Sequence, residues 1–157
     1  MSHIDARLDE LGITLPDVAA PVAVYVPAVR SGSYVYTSGQ LPFVDGALPE
    51  AGKVGLTDGL VTPEAAAGYA RQCALNALAA VKALIGSLDD VARVVKVVGF
   101  VASDLGFTGQ PGVVNGASNV LGEIFGEAGV HARSAVGVAV LPLDSPVEVE
   151  LIVELKQ

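Results

Sequence analysis

Val147–Leu155 reads VEVELIVEL, in which aliphatic residues alternate with mostly acidic ones. Successive side chains of a β-strand point to opposite faces of a sheet, so the stretch predicts a strand with one apolar face. Helices must cover that face, whereas Glu148, Glu150 and Glu154 fall on the other one. Carboxylates placed in this way are solvated, paired or functional. The stretch therefore predicts a sheet that helices cover on one face only.

Two upstream segments have the composition of the covering helices. Thr62-Pro63-Glu64 supplies a hydroxyl N-cap, a proline at the first helical position and an early carboxylate, and Ala65–Ile85 continues the helix. The second helix is predicted over Pro111–Phe125, which opens on a proline and is followed by Gly126. In the first helix we expect most of the buried area to come from five large side chains: Tyr69, Leu75, Leu78, Val81 and Leu84.

Four further stretches are predicted to be strands. Val22–Val29 and Tyr34–Ser38 flank a glycine-bearing turn and predict a hairpin. Val91–Ala102 is rich in valine, and Ser134–Leu141 precedes the final strand. The order β-β-α-β-α-β-β predicts the α/β (α+β) class, with one mixed sheet and two helices packed on one face.

Two segments lie outside this pattern. Ile4–Leu11 has helical spacing, so residues 1–15 are expected to form a helical N-terminal extension of a single domain that spans residues 1–157. Leu41–Val61 is rich in glycine, proline and acidic residues and is predicted to be a long loop. Loops of this length are often functional or seal an interface.

The composition points to an assembly of several copies. Hydrophobic residues make up 52% of the chain and charged residues only 17%, against about 25% in ordinary globular domains. A surface so poor in charge suggests that part of it is buried against other subunits. The alternative is a monomer with a core rich in alanine and valine.

Charge and cysteine content limit the partners and the compartment. The net charge is −8 and basic residues do not cluster, which argues against binding to nucleic acid or to an acidic membrane. The single cysteine excludes an intramolecular disulfide and, together with an N-terminus that lacks a secretory signal, favours the cytoplasm. The two histidines, His3 and His131, have no partners at ligand spacing, so neither a metal nor a cofactor is expected.

Four short segments occur in an order typical of one protein family. They are Tyr36-Thr37-Ser38-Gly39-Gln40-Leu41-Pro42, His131-Ala132-Arg133-Ser134, Leu141-Pro142 and Val147-Glu148-Val149-Glu150. In these segments the chain resembles the Rid family (reactive intermediate deaminases, the YjgF-like group), which is also called endoribonuclease L-PSP. The resemblance extends from about Val22 to Leu155.

The resemblance implies a bacterial chorismate-mutase-like fold, assembled as a homotrimer with clefts between neighbouring subunits. In imine-hydrolysing members of the family, the arginine at the position of Arg133 binds the substrate carboxylate. The glutamate at the position of Glu148 holds the attacking water, and Gly39 lines the cleft with its backbone. An aromatic residue and an asparagine complete the cleft, and Tyr25 and Asn115 occupy the matching positions.

Side-chain chemistry agrees with these roles. A guanidinium binds a carboxylate bidentately, and a carboxylate can accept the proton of a water that adds to a C=N bond. The alternative is a salt bridge between Arg133 and Glu148 or Glu150 across adjacent strands. Many active members have a cysteine where this chain has Ala135, and the N-terminal helix and the long loop match a longer-chain subgroup.

Three functions follow from this resemblance. The leading hypothesis is hydrolysis of 2-imino or 2-enamino acids to 2-keto acids and ammonia. The second is a non-catalytic trimer that binds a small carboxylate metabolite. The third, a ribonuclease, is suggested only by the family's older name and is opposed by the net charge of −8.

Overall fold

The computed structural model describes residues 3–18 and 24–157. Within them lie three helices, α1 (His3–Glu10), α2 (Pro63–Ile85) and α3 (Gln110–Phe125), and five strands. The strands are β1 (Ala28–Ser31), β2 (Tyr34–Thr37), β3 (Val91–Ala102), β4 (Ala132–Val138) and β5 (Val147–Leu155). Among these residues no helix is long and apolar enough to cross a membrane.

The strands form one sheet in the order β1-β2-β5-β3-β4. β3 and β4 run parallel, with α3 between them in the chain, whereas the other neighbours are antiparallel. The prediction of a mixed sheet is thereby confirmed. β4 and β5 follow each other in the sequence but are not neighbours, since β3 lies between them.

Helices α2 and α3 cover one face of the sheet, as predicted. The side chain of Thr62 caps α2 by accepting a hydrogen bond from the backbone N–H of Ala65 (3.1 Å). The two helices approach closely, because a Cβ at Gly116 would overlap the carbonyl oxygen of Ala67. The alternating residues of β5 are buried beneath them, from Val147 to Leu155.

The buried face of α2 differs from the expected one. Leu75, Leu78 and Val81 are buried, but Leu84 is exposed and Tyr69 is only partly buried. Alanines supply much of the contact instead, because a helix that approaches a sheet and a second helix at short range has little room for larger side chains. The fully or almost fully buried alanines are Ala66, Ala70, Ala74, Ala77, Ala79 and Ala80.

Two strand boundaries differ from the prediction. β4 spans Ala132–Val138 and not Ser134–Leu141, because it begins where its parallel partner β3 can pair with it, at Lys96 and Ala132. The first predicted strand also begins later than expected among the described residues. Its pairing starts at Ala28, because Ala28 lies opposite Thr37, the last residue of β2. Val22 and Ala23 lie outside the described residues.

The opposite face of the sheet carries no helix among the described residues. Glu148, Glu150 and Glu154 point to this face and are half-buried there. Apolar and aromatic side chains surround them, and these are Tyr34, Tyr36, Val98, Phe100, Val136 and Ile152. We call this surface the open face of the sheet.

Candidate functional site

The Thr-Ser-Gly-Gln segment links the end of β2 to the start of β5. The Thr37 hydroxyl accepts a hydrogen bond from the backbone N–H of Leu151 (2.9 Å), and the Ser38 hydroxyl donates one to the carbonyl of Val26 (2.7 Å). Gln40 and Val149 then exchange two backbone hydrogen bonds of 2.8 and 3.0 Å. This pairing brings the backbone of Gly39 against the side chain of Glu148.

Glycine at position 39 leaves room for the Glu148 side chain in its observed position. A Cβ at this position would overlap the carboxylate of Glu148. The carboxylate therefore lies directly against the half-buried backbone of Gly39. The sequence-predicted pair Gly39 and Glu148 is brought together in the structure.

The Glu148 carboxylate is electrostatically unusual. Burial raises its pKa above the usual value for glutamate, and the nearby charge of Glu150 raises it further. Both effects oppose ionisation, so the group holds a proton more tightly than a solvated glutamate does. A carboxylate of this kind accepts a proton more readily than a solvated glutamate, as a general base must.

Glu148 and Gly39 lie on the wall of an open cavity of about 1000 Å³, and Tyr25 lies on it as well. The N-terminal extension and the first part of the long loop supply most of the remaining wall, through Thr14–Val18 and Leu41–Gly46. On α2, Asn76 donates hydrogen bonds to the carbonyls of Leu41 (2.9 Å) and Phe43 (3.2 Å) and so anchors the loop. The predicted long loop thus forms part of the cavity.

Arg133, on β4, forms a second cluster with residues of α3. Its Nη1 donates hydrogen bonds to Asn115 Oδ1 (2.8 Å) and to Ser118 Oγ (3.1 Å), and its Nη2 lies 3.4 Å from the Pro111 carbonyl. Arg133 and Asn115, which were both predicted to line the cleft, are therefore in direct contact. Ala135 follows on the same side of β4 and packs against the core.

The two clusters lie on opposite faces of the sheet. Arg133 pairs with Val97 and Ala135 with Gly99, and both of these β3 residues face the helices. Glu148 pairs with Phe100, the next residue along β3, and therefore points to the open face. Within one chain the predicted site residues form two half-sites, namely Tyr25–Gly39–Glu148 and Asn115–Arg133–Ala135.

The alternative of a salt bridge between Arg133 and Glu148 or Glu150 is wrong. It required β4 and β5 to be adjacent, but β3 separates them. Among the described residues the ion pairs are Arg7–Glu10 and Lys82–Asp5, and neither involves the half-sites.

A glycine on β4 gives room to a side chain of α3. Gly137 faces the Gln110 side chain, which a Cβ would approach to 2.7 Å.

Sequence reasoning missed two members of the arginine cluster. Ser118 lies three residues after Asn115 on α3, and His131 lies two residues before Arg133. A spacing of three places Asn115 and Ser118 on one side of a helix, and a spacing of two places His131 and Arg133 on one side of an extended segment. These spacings are common in proteins, so the sequence alone did not single out Ser118 and His131. In residues 3–18 and 24–157 no group of three potential metal ligands occurs.

Comparison with known proteins identifies relatives over nearly the whole chain. A family model described as "YjgF/chorismate mutase-like, putative endoribonuclease" matches residues 5–155. Protein TCP17 of Trypanosoma cruzi is 46% identical over 154 residues, which cover 98% of this chain and 94% of that protein.

Two solved structures are similar to this chain as well. A "putative endoribonuclease" from Shewanella oneidensis is 35% identical, with a TM-score of 0.91 over 98% of this chain and all of that one. TdcF of E. coli with bound serine is 27% identical, with a TM-score of 0.63 over 92% of this chain and 96% of that one. The mixed sheet under two helices is therefore the fold of these relatives.

Proposed function

The chain belongs to the YjgF/chorismate mutase-like family, and from that premise we propose that it hydrolyses 2-imino or 2-enamino acids to 2-keto acids and ammonia. The observation that carries the proposal is the Glu148 carboxylate, which is half-buried over the backbone of Gly39 in an open cavity and has a raised pKa. Arg133, held by Asn115, supplies the carboxylate-binding group.

The proposed reaction uses Glu148 as the general base. A water between the carboxylate and the substrate adds its oxygen to the imine carbon, while Glu148 accepts the water's proton and passes it on to the imine nitrogen. The resulting 2-amino-2-hydroxy acid expels ammonia and becomes the 2-keto acid. Arg133 fixes the substrate carboxylate bidentately, which orients the C=N bond toward the water.

The positions of the two half-sites support a site that is shared between two subunits. Within one chain they face opposite sides of the sheet and cannot bind one small molecule. Between two chains, the arginine cluster of one copy can meet the Glu148 cavity of the next. Head-to-tail contacts close into a ring when the rotation between copies allows it, and the ring that we propose is a homotrimer with three clefts. The open face, with its apolar and aromatic side chains, is a surface such an assembly would bury.

We expect light scattering at micromolar concentration to return three times the 15.9 kDa mass of the chain. The mass should stay constant on tenfold dilution, because the subunit interface would bury the apolar side chains of the open face as well as the clefts, and a large interface holds the assembly together. A monomer at this concentration would remove both the trimer and the shared cleft.

One relative supports a second function, the binding of a small metabolite without catalysis. The E. coli TdcF structure contains bound serine, so a member of this fold holds a small molecule with a carboxylate. The same two half-sites would suit a non-catalytic trimer that binds keto acids or related metabolites. Ammonia release from a freshly generated imine distinguishes the two functions, because a binding protein would not accelerate it.

Ribonuclease activity, which the family description names, is not our proposal. We expect no measurable RNA binding at physiological salt, because a chain of net charge −8 repels a polyanion and lacks clustered cations to displace its counterions. Filter binding with labelled single-stranded RNA measures this. Tight binding that weakens steeply with salt would contradict the expectation. With one cysteine the chain cannot form an intramolecular disulfide, which suits a reducing compartment, and we propose the cytoplasm as the place of the reaction.

A further inference from the structure

A chain of hydrogen bonds runs from the backbone through two side chains to Arg133. His131 Nδ1 lies 2.6 Å from the Gly129 carbonyl oxygen, and His131 Nε2 lies 2.9 Å from Ser118 Oγ. Ser118 Oγ lies 3.1 Å from Arg133 Nη1. None of these contacts belongs to the backbone pairing of the fold, and none is used by the reaction proposed above.

When the His131 imidazole is neutral, the backbone carbonyl of Gly129 determines the direction of every bond in this chain. A carbonyl oxygen only accepts, so Nδ1 carries the proton of the neutral imidazole and Nε2 is left as an acceptor. The Ser118 hydroxyl therefore donates to His131 Nε2. Its lone pairs remain available, and one of them accepts the hydrogen bond from Arg133.

These bonds determine which N–H groups of the Arg133 guanidinium remain available to a ligand. Both N–H groups of Nη1 are used, one by Asn115 Oδ1 and one by Ser118 Oγ. Nη2 makes one long contact of 3.4 Å, to the Pro111 carbonyl. Within the described residues, Nε makes no hydrogen bond. The edge formed by Nε and Nη2 is thus the one that can receive a carboxylate bidentately.

We propose that His131, acting through Ser118, is a positioning residue that presents the Nε–Nη2 edge of Arg133 to the substrate carboxylate. Without His131 the Ser118 hydroxyl would lose the acceptor that fixes the direction of its proton. Arg133 would then lose the acceptors that fix its rotation. The inference rests on the proposed function, because it concerns the arginine of that site.

Calorimetry with a 2-keto acid such as 2-oxobutanoate tests the inference on the full chain. Ser118→Ala should raise the dissociation constant about tenfold, and His131→Phe about three- to tenfold, since each removes one hydrogen bond from the set that orients a charged group. Ser118→Thr retains the hydroxyl and should stay within about twofold of wild type. Asn119→Ala, at an exposed position on the same helix, is the matched control and should leave binding unchanged.

Two further readouts separate positioning from general loss of structure. The double variant with Ser118→Ala and His131→Phe should bind about as weakly as Ser118→Ala alone, because both residues act through one contact. In ammonia-release kinetics the KM should rise by a larger factor than kcat falls, since Arg133 binds the substrate carboxylate whereas the general base Glu148 lies in the other half-site. Additive losses, or a fall in kcat with unchanged KM, would overturn the proposal.

The same experiment distinguishes this inference from the proposed function. If wild type binds no keto acid, or Arg133→Ala binds it as tightly as wild type, the site assignment fails. If Arg133→Ala loses binding but Ser118→Ala and His131→Phe bind normally, the positioning role alone is wrong. Circular dichroism melting confirms that each variant is folded.

Discussion

Replacing Glu148 with glutamine is expected to slow imine hydrolysis by about 10²–10⁴-fold while leaving keto-acid binding nearly intact. Glutamine keeps the length and hydrogen-bonding capacity of the side chain over Gly39, but it cannot accept the water's proton. Ammonia release from an imine generated in situ gives the rate, and calorimetry with the corresponding keto acid gives the affinity. Equal rates for Glu148→Gln and wild type would remove the general base from the mechanism.

Glu154→Gln is the matched control for this variant. It removes the same charge from the same strand and face, three alternations away from Glu148 and outside the cavity lining. Its rate should equal that of wild type. If both variants lost activity equally, the effect would come from the lost negative charge on the open face. The loss of a proton acceptor at Glu148 would then not be its cause.

The pH dependence supplies an independent readout of Glu148. The base must be ionised to accept a proton, and burial with the neighbouring Glu150 raises its pKa above the usual range. The rate should therefore fall as the pH decreases through that raised pKa, and not only at the lower pH where an ordinary glutamate is protonated. Glu150→Gln removes one of the two causes, so it should move the acid limb to lower pH.

Replacing Arg133 with alanine is expected to weaken 2-keto-acid binding by roughly tenfold to more than a hundredfold. The substrate carboxylate loses a charge-assisted bidentate contact worth about 1.5–3 kcal/mol. Arg133→Lys should recover only part of this, because an ammonium offers no planar fork. Titration calorimetry of the three proteins with one keto acid measures the effect.

The control for Arg133 is Arg30→Ala, which removes a cation from an exposed edge strand. Its affinity should equal that of wild type. Binding of wild type with no ammonia release would favour the metabolite-binding function. Unchanged binding in Arg133→Ala would show that the arginine has only a structural role beside Asn115 and Ser118.

The sequence by itself determined most of the secondary structure. The alternation over Val147–Leu155, the cap at Thr62 and the valine-rich run over Val91–Ala102 are local patterns, and the structure confirms each of them. Local patterns suffice there because caps and strand alternation depend on residues a few positions apart. The family motifs likewise identified Gly39 with Glu148 and Asn115 with Arg133, and both pairs lie in contact.

Only the tertiary structure decided how these pairs are arranged in space. The sequence shows which residues share a face within one strand, but not which strands are neighbours or in which register they pair. β3 lies between β4 and β5, and its register places Val97 beside Arg133 and Phe100 beside Glu148. Because side chains alternate along a strand, a shift of one residue in pairing would move a whole strand's side chains to the other face. The separation of Arg133 from Glu148 thus follows from long-range pairing, which no local pattern encodes.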